Sequence, residues 1–261
     1  MTDYEAAGIL VEQEEAVLTI TLNRPDTRNA QTPAMWRALA EVGSTVDRSV
    51  RVVVLRGAGE SFSAGLDRRM LTPEGIDGER NFTELASDSD AGFDAAIAVY
   101  QEGFTWWRNP QFVSIAAVQG HAIGAGFQLA LACDIRIVAD DVMFNMKETA
   151  LGLVPDLGGT KPLVEAVGYQ RALEICATSR VVGGAEAQAI GLALASVPRG
   201  ELDDTVADLS AALLAPEHDS VIALKHLLTG AADESYEDQR ARERIAQRGR
   251  FRALARMFGG N

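Results

Sequence analysis

Two stretches of the chain combine small residues and a following helix in a way that leaves backbone N–H groups free for chemistry. The first is SIAAVQGHAIGAGFQLALACD, residues 114–134. Ile115 to Val118 read as the end of a buried strand, and Gly120, Gly124, Ala125 and Gly126 as a turn poor in side chains. Phe127 to Cys133 follow as an apolar helix. The first N–H groups of a helix lack intrahelical acceptors, and the helix dipole favours negative charge beside them. That charge is a phosphate, a carboxylate or an oxyanion formed during reaction. A glycine turn packed closely on a neighbouring strand has the same composition, so the stretch alone leaves both readings open. The second stretch is RGAGESFSAGLD, residues 56–67, where Phe62 to Gly65 form another small-residue turn and residues 66–70 suit a helix start.

Other chemistries find little support. The glycines at 120, 124 and 126 do not have dinucleotide-fingerprint spacing, and Gly-Phe-Gln at 126–128 replaces the ending a P-loop needs. No G-x-S-x-G elbow occurs, and the three histidines, 121, 218 and 226, are scattered. Cys133 and Cys176 have neither disulfide-scaffold numbers nor metal-ligand spacing, so no metal site is expected. The net charge of −13 argues against a nucleic-acid partner. No apolar run reaches the roughly 20 residues of a membrane span, and residues 1–8 lack a signal-peptide pattern. Cytoplasmic localisation is the expectation. One segment opposes the overall charge: 240–256 holds seven arginines and one glutamate, leaving about −19 on the remainder. Such a tail suits a phosphorylated ligand, a partner subunit or a solvated helix end.

The elements that must position these stretches follow in order. Ile9–Glu14 and Ala16–Leu22 predict a hairpin, and Pro25-Asp26 a turn. Thr32 predicts a helix cap with Pro33 in the first turn; Met35, Trp36, Leu39, Ala40, Val42 and Val46 form the apolar face. Residues 50–55 read as a buried parallel strand. Residues 71–94, with seven acids and one arginine, read as a mobile surface insert. Ile97, Tyr100, Phe104 and Trp107 mark a core-facing helical stripe over 93–108. Strands at 135–138, 142–144 and 196–197 and helices at 161–167, 170–178 and 184–191 follow, then helices alone from 201, with a break at Pro216. The class is α/β, with a core over 1–195 and a helical region over 196–261.

The chain resembles the crotonase superfamily, the enoyl-CoA hydratase/isomerase family. Four motifs carry the resemblance: LNRPDTRNA (22–30), SFSAGLD (61–67), the whole of 114–134, and KETALGLVPDLGGT (147–160). The resemblance implies a spiral of ββα units with a helical C-terminal region that covers the pocket and assembles trimers or dimers of trimers. It implies an acyl-CoA substrate, coenzyme A being part of that substrate rather than a separate cofactor. The thioester oxygen would lie between the N–H groups of Leu66 and Ala125, which stabilise an enolate. Arg24, Arg28, Ala64 and Asp67 would lie along the CoA, Asp67 by fixing its loop.

Departures from the family pattern bear on the reaction. Hydratases of this family hold a water between two glutamates; by alignment those positions are Gln128 and Glu148 here. An amide accepts and donates hydrogen bonds but takes no proton. Asp156 stands where hydratases commonly carry glycine and where the family's dienoyl-CoA isomerases place an acid. A helix cap is the other use of an aspartate at that point. The expected catalytic group is therefore Glu148, with Asp156 and Gln128 as candidates beside it, in an enzyme that hydrates or isomerises an unsaturated acyl-CoA. The competing expectation is an acyl-CoA-binding protein on the same fold without catalysis.

Overall fold

The computed structural model describes residues 3–258. The chain begins with the antiparallel strands β1 (Ile9–Glu14) and β2 (Val17–Leu22), followed by helix α1 (Pro33–Thr45). Thr32 caps α1 by accepting from the Met35 N–H. Met35, Trp36, Leu39 and Val42 are buried as the periodicity predicts, whereas Ala38, not Ala40, completes the face. Strand β3 (Val52–Gly57) leads through a long crossover to β4 (Val113–Val118). The crossover contains the short α2 (Phe82–Ala86) and α3 (Asp90–Thr105).

Beyond β4 come β5 (His121–Ile123), α4 (Ala125–Ala132), β6 (Ile135–Ala139) and β7 (Met143–Asn145). Helices α5 (Thr160–Val167) and α6 (Tyr169–Thr178), strand β8 (Val182–Gly183), α7 (Gly184–Ala189) and β9 (Ala195–Val197) complete the sheets. Helices α8 (Leu202–Leu214), α9 (His218–Leu228) and α10 (Tyr236–Met257) form the C-terminal part.

The main sheet has the order β1-β2-β3-β4-β6-β9, parallel from β2 onward. A second sheet, β5-β7-β8, runs beside it. Single-residue bridges extend this second layer: Ser63 pairs with Ala122 and Gln31 with Leu66. Successive units thus repeat one pattern, a long strand in the first sheet, a short extended piece in the second layer, then a helix. This is the expected spiral of ββα units with a helical C-terminal region. The two-residue and three-residue strands β8 and β5 are too short to show a period of two and escape prediction.

Strand β3 explains its own composition. Val53 and Leu55 face the cluster under α1 and α3, while Val52 and Val54 face Leu202 and Val206 of α8. Burial on both faces is what makes parallel strands read as unbroken apolar runs. Helix α8 is thus a layer of the main sheet, and the boundary expected at 195/196 falls inside β9. The aromatic stripe of α3 is core: Trp36 meets Tyr100 and Phe104 with ring centroids 5.1 and 5.9 Å apart. No helix of the described residues is long and apolar enough to cross a membrane.

The reading of 71–94 as a mobile insert needs correction. Asn81 and Glu84 form a reciprocal capping box that starts α2, and α3 begins at Asp90. Arg37 of α1 donates two hydrogen bonds to Glu79, at 3.0 and 2.5 Å. The acidic composition that suggested disorder supplies caps and ion-pair partners.

Helix α9 is pinned by a buried charge. Lys225, 9% exposed, donates to the carbonyls of Asn109 and Phe112 at 2.8 and 2.7 Å and to Asp134 at 2.6 Å. Desolvation pushes the Lys225 pKa down. Asp134 also accepts from the Ser114 backbone and hydroxyl, joining α9 to both ends of the 114–134 stretch. Lys225→Ala should therefore cost roughly 3 kcal/mol by stranding a carboxylate and two carbonyls. Calorimetry should register a melting-temperature drop of about 6–12 °C; an unchanged transition would mean that α9 is held by packing alone.

Candidate active site

The second layer brings the two small-residue turns together. Ser63 donates its N–H to the His121 carbonyl, and the Ile123 N–H returns to Ser63 at 3.0 Å. Gly65, at φ +85°, packs so closely that a Cβ there would lie 2.3 Å from the Ile123 carbonyl oxygen and 3.5 Å from Ala125 N. Only glycine fits that position. The residues flanking Leu66 and Ala125 spend their N–H groups. Ala64 donates to Arg28, Gly65 to the Ser63 hydroxyl, Asp67 to Gln31 and Gly124 to Asn145. The N–H groups of Leu66 and Ala125 find no acceptor among the described residues. Ala125 opens α4, whose eight residues are all buried and whose dipole adds to the positive end.

A set of buried polar side chains, not singled out from the sequence, holds the first motif against the second. Asn29 donates to the carbonyls of Ala58 and Ser61 at 2.9 and 2.8 Å and accepts from the Arg24 N–H. Gln31 donates to the Ser63 hydroxyl and accepts from the Trp36 indole. Ser63 in turn donates to the Asn29 carbonyl at 2.8 Å. Asn29, Gln31 and Ser63 are each completely buried. The polar run Asn29-Ala30-Gln31-Thr32 ahead of an apolar helix was the available signal, but its partners lie about thirty residues away.

Glu148 reaches the same place from the other side. The β5–β7 register sets Asn145 beside Ile123, and Glu148 begins the 3-10 turn that follows β7. Its Oε1 lies 3.3 Å from where a Cβ on Gly124 would stand. Gln128, one helical turn into α4, donates to Glu148 Oε1 at 2.7 Å. Glu148 Oε2 is buried with no hydrogen-bond partner among the described residues. Desolvation raises the Glu148 pKa, and the negative charge of Asp156 raises it further. The two acids, eight residues apart in sequence, therefore sit within electrostatic reach of one another.

Asp156 does not cap α5, whose N-terminus has no side-chain cap. Its backbone carbonyl accepts from Gln101 of α3 at 2.6 Å. The residue as a whole is exposed, yet enough protein surrounds its carboxylate that desolvation raises its pKa.

The remaining expected residues lie on the rim. Arg24 donates to the Ala30 carbonyl and to Asp67 at 3.0 Å, and Arg69 donates to Asp67 at 2.8 Å. The two guanidiniums, Arg69 first, hold the Asp67 carboxyl well below the usual carboxylate range. Asp67 also accepts from the Arg69 N–H, starting the next 3-10 turn, so its carboxylate is committed to the loop. Arg28 is exposed, with no acidic partner among the described residues. It stands near His121, whose pKa is lowered by burial and by this charge. Ala64 is half-buried at the mouth of the Gly65 turn. Four tail arginines pair with acids of α10, of α9 or of the segments flanking α9: Arg240 and Arg244 with Glu237, Arg242 with Glu234, Arg250 with Glu217 and Asp219. Arg248, Arg252 and Arg256 have no acidic partner among the described residues.

Comparison with known proteins shows the family to which this fold belongs. The family model for enoyl-CoA hydratase/isomerase matches residues 12–254. The hydroxycinnamoyl-CoA hydratase-lyase of Pseudomonas fluorescens is 31% identical over 87% of this chain and 80% of its own length. The human mitochondrial Delta(3,5)-Delta(2,4)-dienoyl-CoA isomerase is 35% identical over 76% of this chain and 60% of its own length. Among solved structures, a Thermobifida fusca YX protein of the enoyl-CoA hydratase kind, in complex with acetoacetyl-CoA, superposes with a TM-score of 0.92. It is 49% identical, covering 96% of this chain and 97% of that one. With its spiral of ββα units, its two facing turns and this likeness over nearly its whole length, the chain belongs to the enoyl-CoA hydratase/isomerase family.

Proposed function

We propose that this protein is an enzyme that transfers a proton on an unsaturated acyl-CoA thioester, isomerising or hydrating it at the double bond. The observation that carries the reading is the juxtaposition of a partnerless carboxylate oxygen, Glu148 Oε2, with a turn whose Ala125 N–H is also unspent. Negative charge growing on a thioester oxygen would be met by the Leu66 and Ala125 N–H groups, one such donor being typically worth roughly 3 kcal/mol. Glu148 would take or return the proton, its raised pKa bringing it closer to neutral operating conditions. Asp156 is the candidate second acid. The Thermobifida fusca relative's complex with acetoacetyl-CoA supports the ligand class, and the relatives' reactions support both outcomes. A binding-only role draws on Gln128 standing where hydratases carry a carboxylate, yet a pure binder has no use for Glu148 and Asp156 in a partly desolvated site. A trimer or hexamer, with α10 against a neighbouring copy, is the assembly we expect.

Turnover of 2-enoyl-, 3-enoyl- and dienoyl-CoAs, followed spectrophotometrically, tests the reading; no turnover with intact binding would establish the binder. Glu148→Gln should lower kcat by roughly 10²–10⁴ and leave CoA-ester affinity little changed. Since the base must be ionised, the wild-type rate should fall toward acid with its midpoint above the ~4.3 of an ordinary glutamate. A midpoint at or below that value would remove Glu148 from the role.

The unpaired arginines yield a separate expectation. CoA carries three phosphate groups, and the chain outside the tail is strongly acidic, so the ligand needs local positive charge. Replacing Arg248, Arg252 and Arg256 by alanine should weaken CoA-ester binding at low salt and flatten its salt dependence. Calorimetric titration at two ionic strengths, with oligomer size checked by light scattering, reads this out; unchanged affinity in an unchanged oligomer would leave these arginines as solvated surface.

A further inference from the structure

Gln128 stands where the family's hydratases hold a water, yet in the folded chain its amide is committed elsewhere. A primary amide has two acceptor sites and two donors. Both acceptor sites of Gln128 Oε1 are taken, by the Leu157 N–H at 2.9 Å and the Gly159 N–H at 3.3 Å. One donor is taken by Glu148 Oε1 at 2.7 Å. The residue is 1% exposed. Its stem fills the space that a side chain at 159 would need, since a Cβ on Gly159 would lie 2.7 Å from Gln128 Cγ. Turning the amide over would set oxygen against the Glu148 oxygen and N–H against two N–H groups, so the network admits one orientation.

We propose that Gln128 is a positioning residue, which anchors Glu148 through Oε1, leaves Oε2 alone for the substrate, and holds the turn that carries Asp156. The part that speaks of substrate rests on the function proposed above. The anchor is an amide, so it does not titrate, and Glu148 keeps the same orientation whether protonated or ionised. A glutamate at 128 would still accept from Leu157 and Gly159, but it would face Glu148 as a second carboxylate at hydrogen-bond distance. Two such groups share one proton. Gln128 from α4 and Asp156 from the turn beyond bear on the Glu148 charge, and that charge, after burial, pushes up the Cys176 thiol of α6.

Two variants separate the two ends of the amide. Q128M keeps the bulk and removes both ends; Q128E keeps the turn-holding acceptor and removes the donor. In Q128E the shared proton raises a folded-state carboxyl pKa above its unfolded value. The stability it contributes is present below the unfolded pKa and lost as pH rises through the folded one. Melting temperature measured from pH 5 to 9 should therefore fall progressively further below wild type as pH rises; parallel curves would overturn the anchor. With an acyl-CoA that the wild type turns over, Q128M should lower kcat by roughly tenfold with KM little changed. It should also move the acid limb of the rate profile up by about one pH unit, because a hydrogen bond to the ionised form is lost. An unmoved limb and unchanged kcat would overturn the proposal. Failure of the wild type on every acyl-CoA would instead count against the enzyme reading, and the melting curves would still decide whether Gln128 anchors Glu148.

Discussion

The site depends on two backbone N–H groups kept without acceptors inside a folded chain. A buried donor left unpaired costs about 1–3 kcal/mol, so the chain must hold Leu66 and Ala125 in place by satisfying everything around them. It does so through the second layer. Ser63 and Ile123 exchange hydrogen bonds, Gly124 donates to Asn145, and Gly65 lies against the Ile123 carbonyl with no room for a side chain. Asn29, Gln31 and Ser63 close the arrangement from behind. Relaxing either turn to give a donor its acceptor would break several of these contacts at once. The donors are preorganised because the alternatives are more costly.

Much of this was legible in sequence, for identifiable reasons. The β-branched run before residue 56, the glycine turns and the Thr32-Pro33 helix start are local signals, and each lies where expected. The motifs that mark the family fall on the turns that meet. What sequence could not supply was pairing across distance. Acid-rich 71–94 looked disordered because Glu79's partner, Arg37, lies forty-two residues away on another helix. For Asp156 a helix cap stayed open beside the catalytic reading, because nothing local shows that its charge reaches Glu148. Gln128 read only as an amide in a glutamate's place, because its three hydrogen bonds go to residues 148, 157 and 159.

The relatives make the same division between frame and chemistry. A hydratase-lyase and a dienoyl-CoA isomerase resemble this chain at 31% and 35% identity, too similar for identity to choose between them. In this chain the two free backbone donors come from the turns of the fold. On the function proposed above, the side chains at 128, 148 and 156 are the ones that would direct the proton.

The crossover from β3 to β4 has an evolutionary consequence. It occupies residues 58–112, and its two flanks are fixed by the parallel register of the main sheet and by the Ser63–Ala122 bridge. Loop-closure entropy grows only logarithmically, so doubling such a connection costs about 0.6 kcal/mol. The largely exposed part of this segment ahead of α3, residues 72–89, can therefore lengthen, shorten or drift in sequence without disturbing the register that sets Leu66 against Ala125. Lineages can vary what surrounds the site at little thermodynamic cost while inheriting the donor geometry intact.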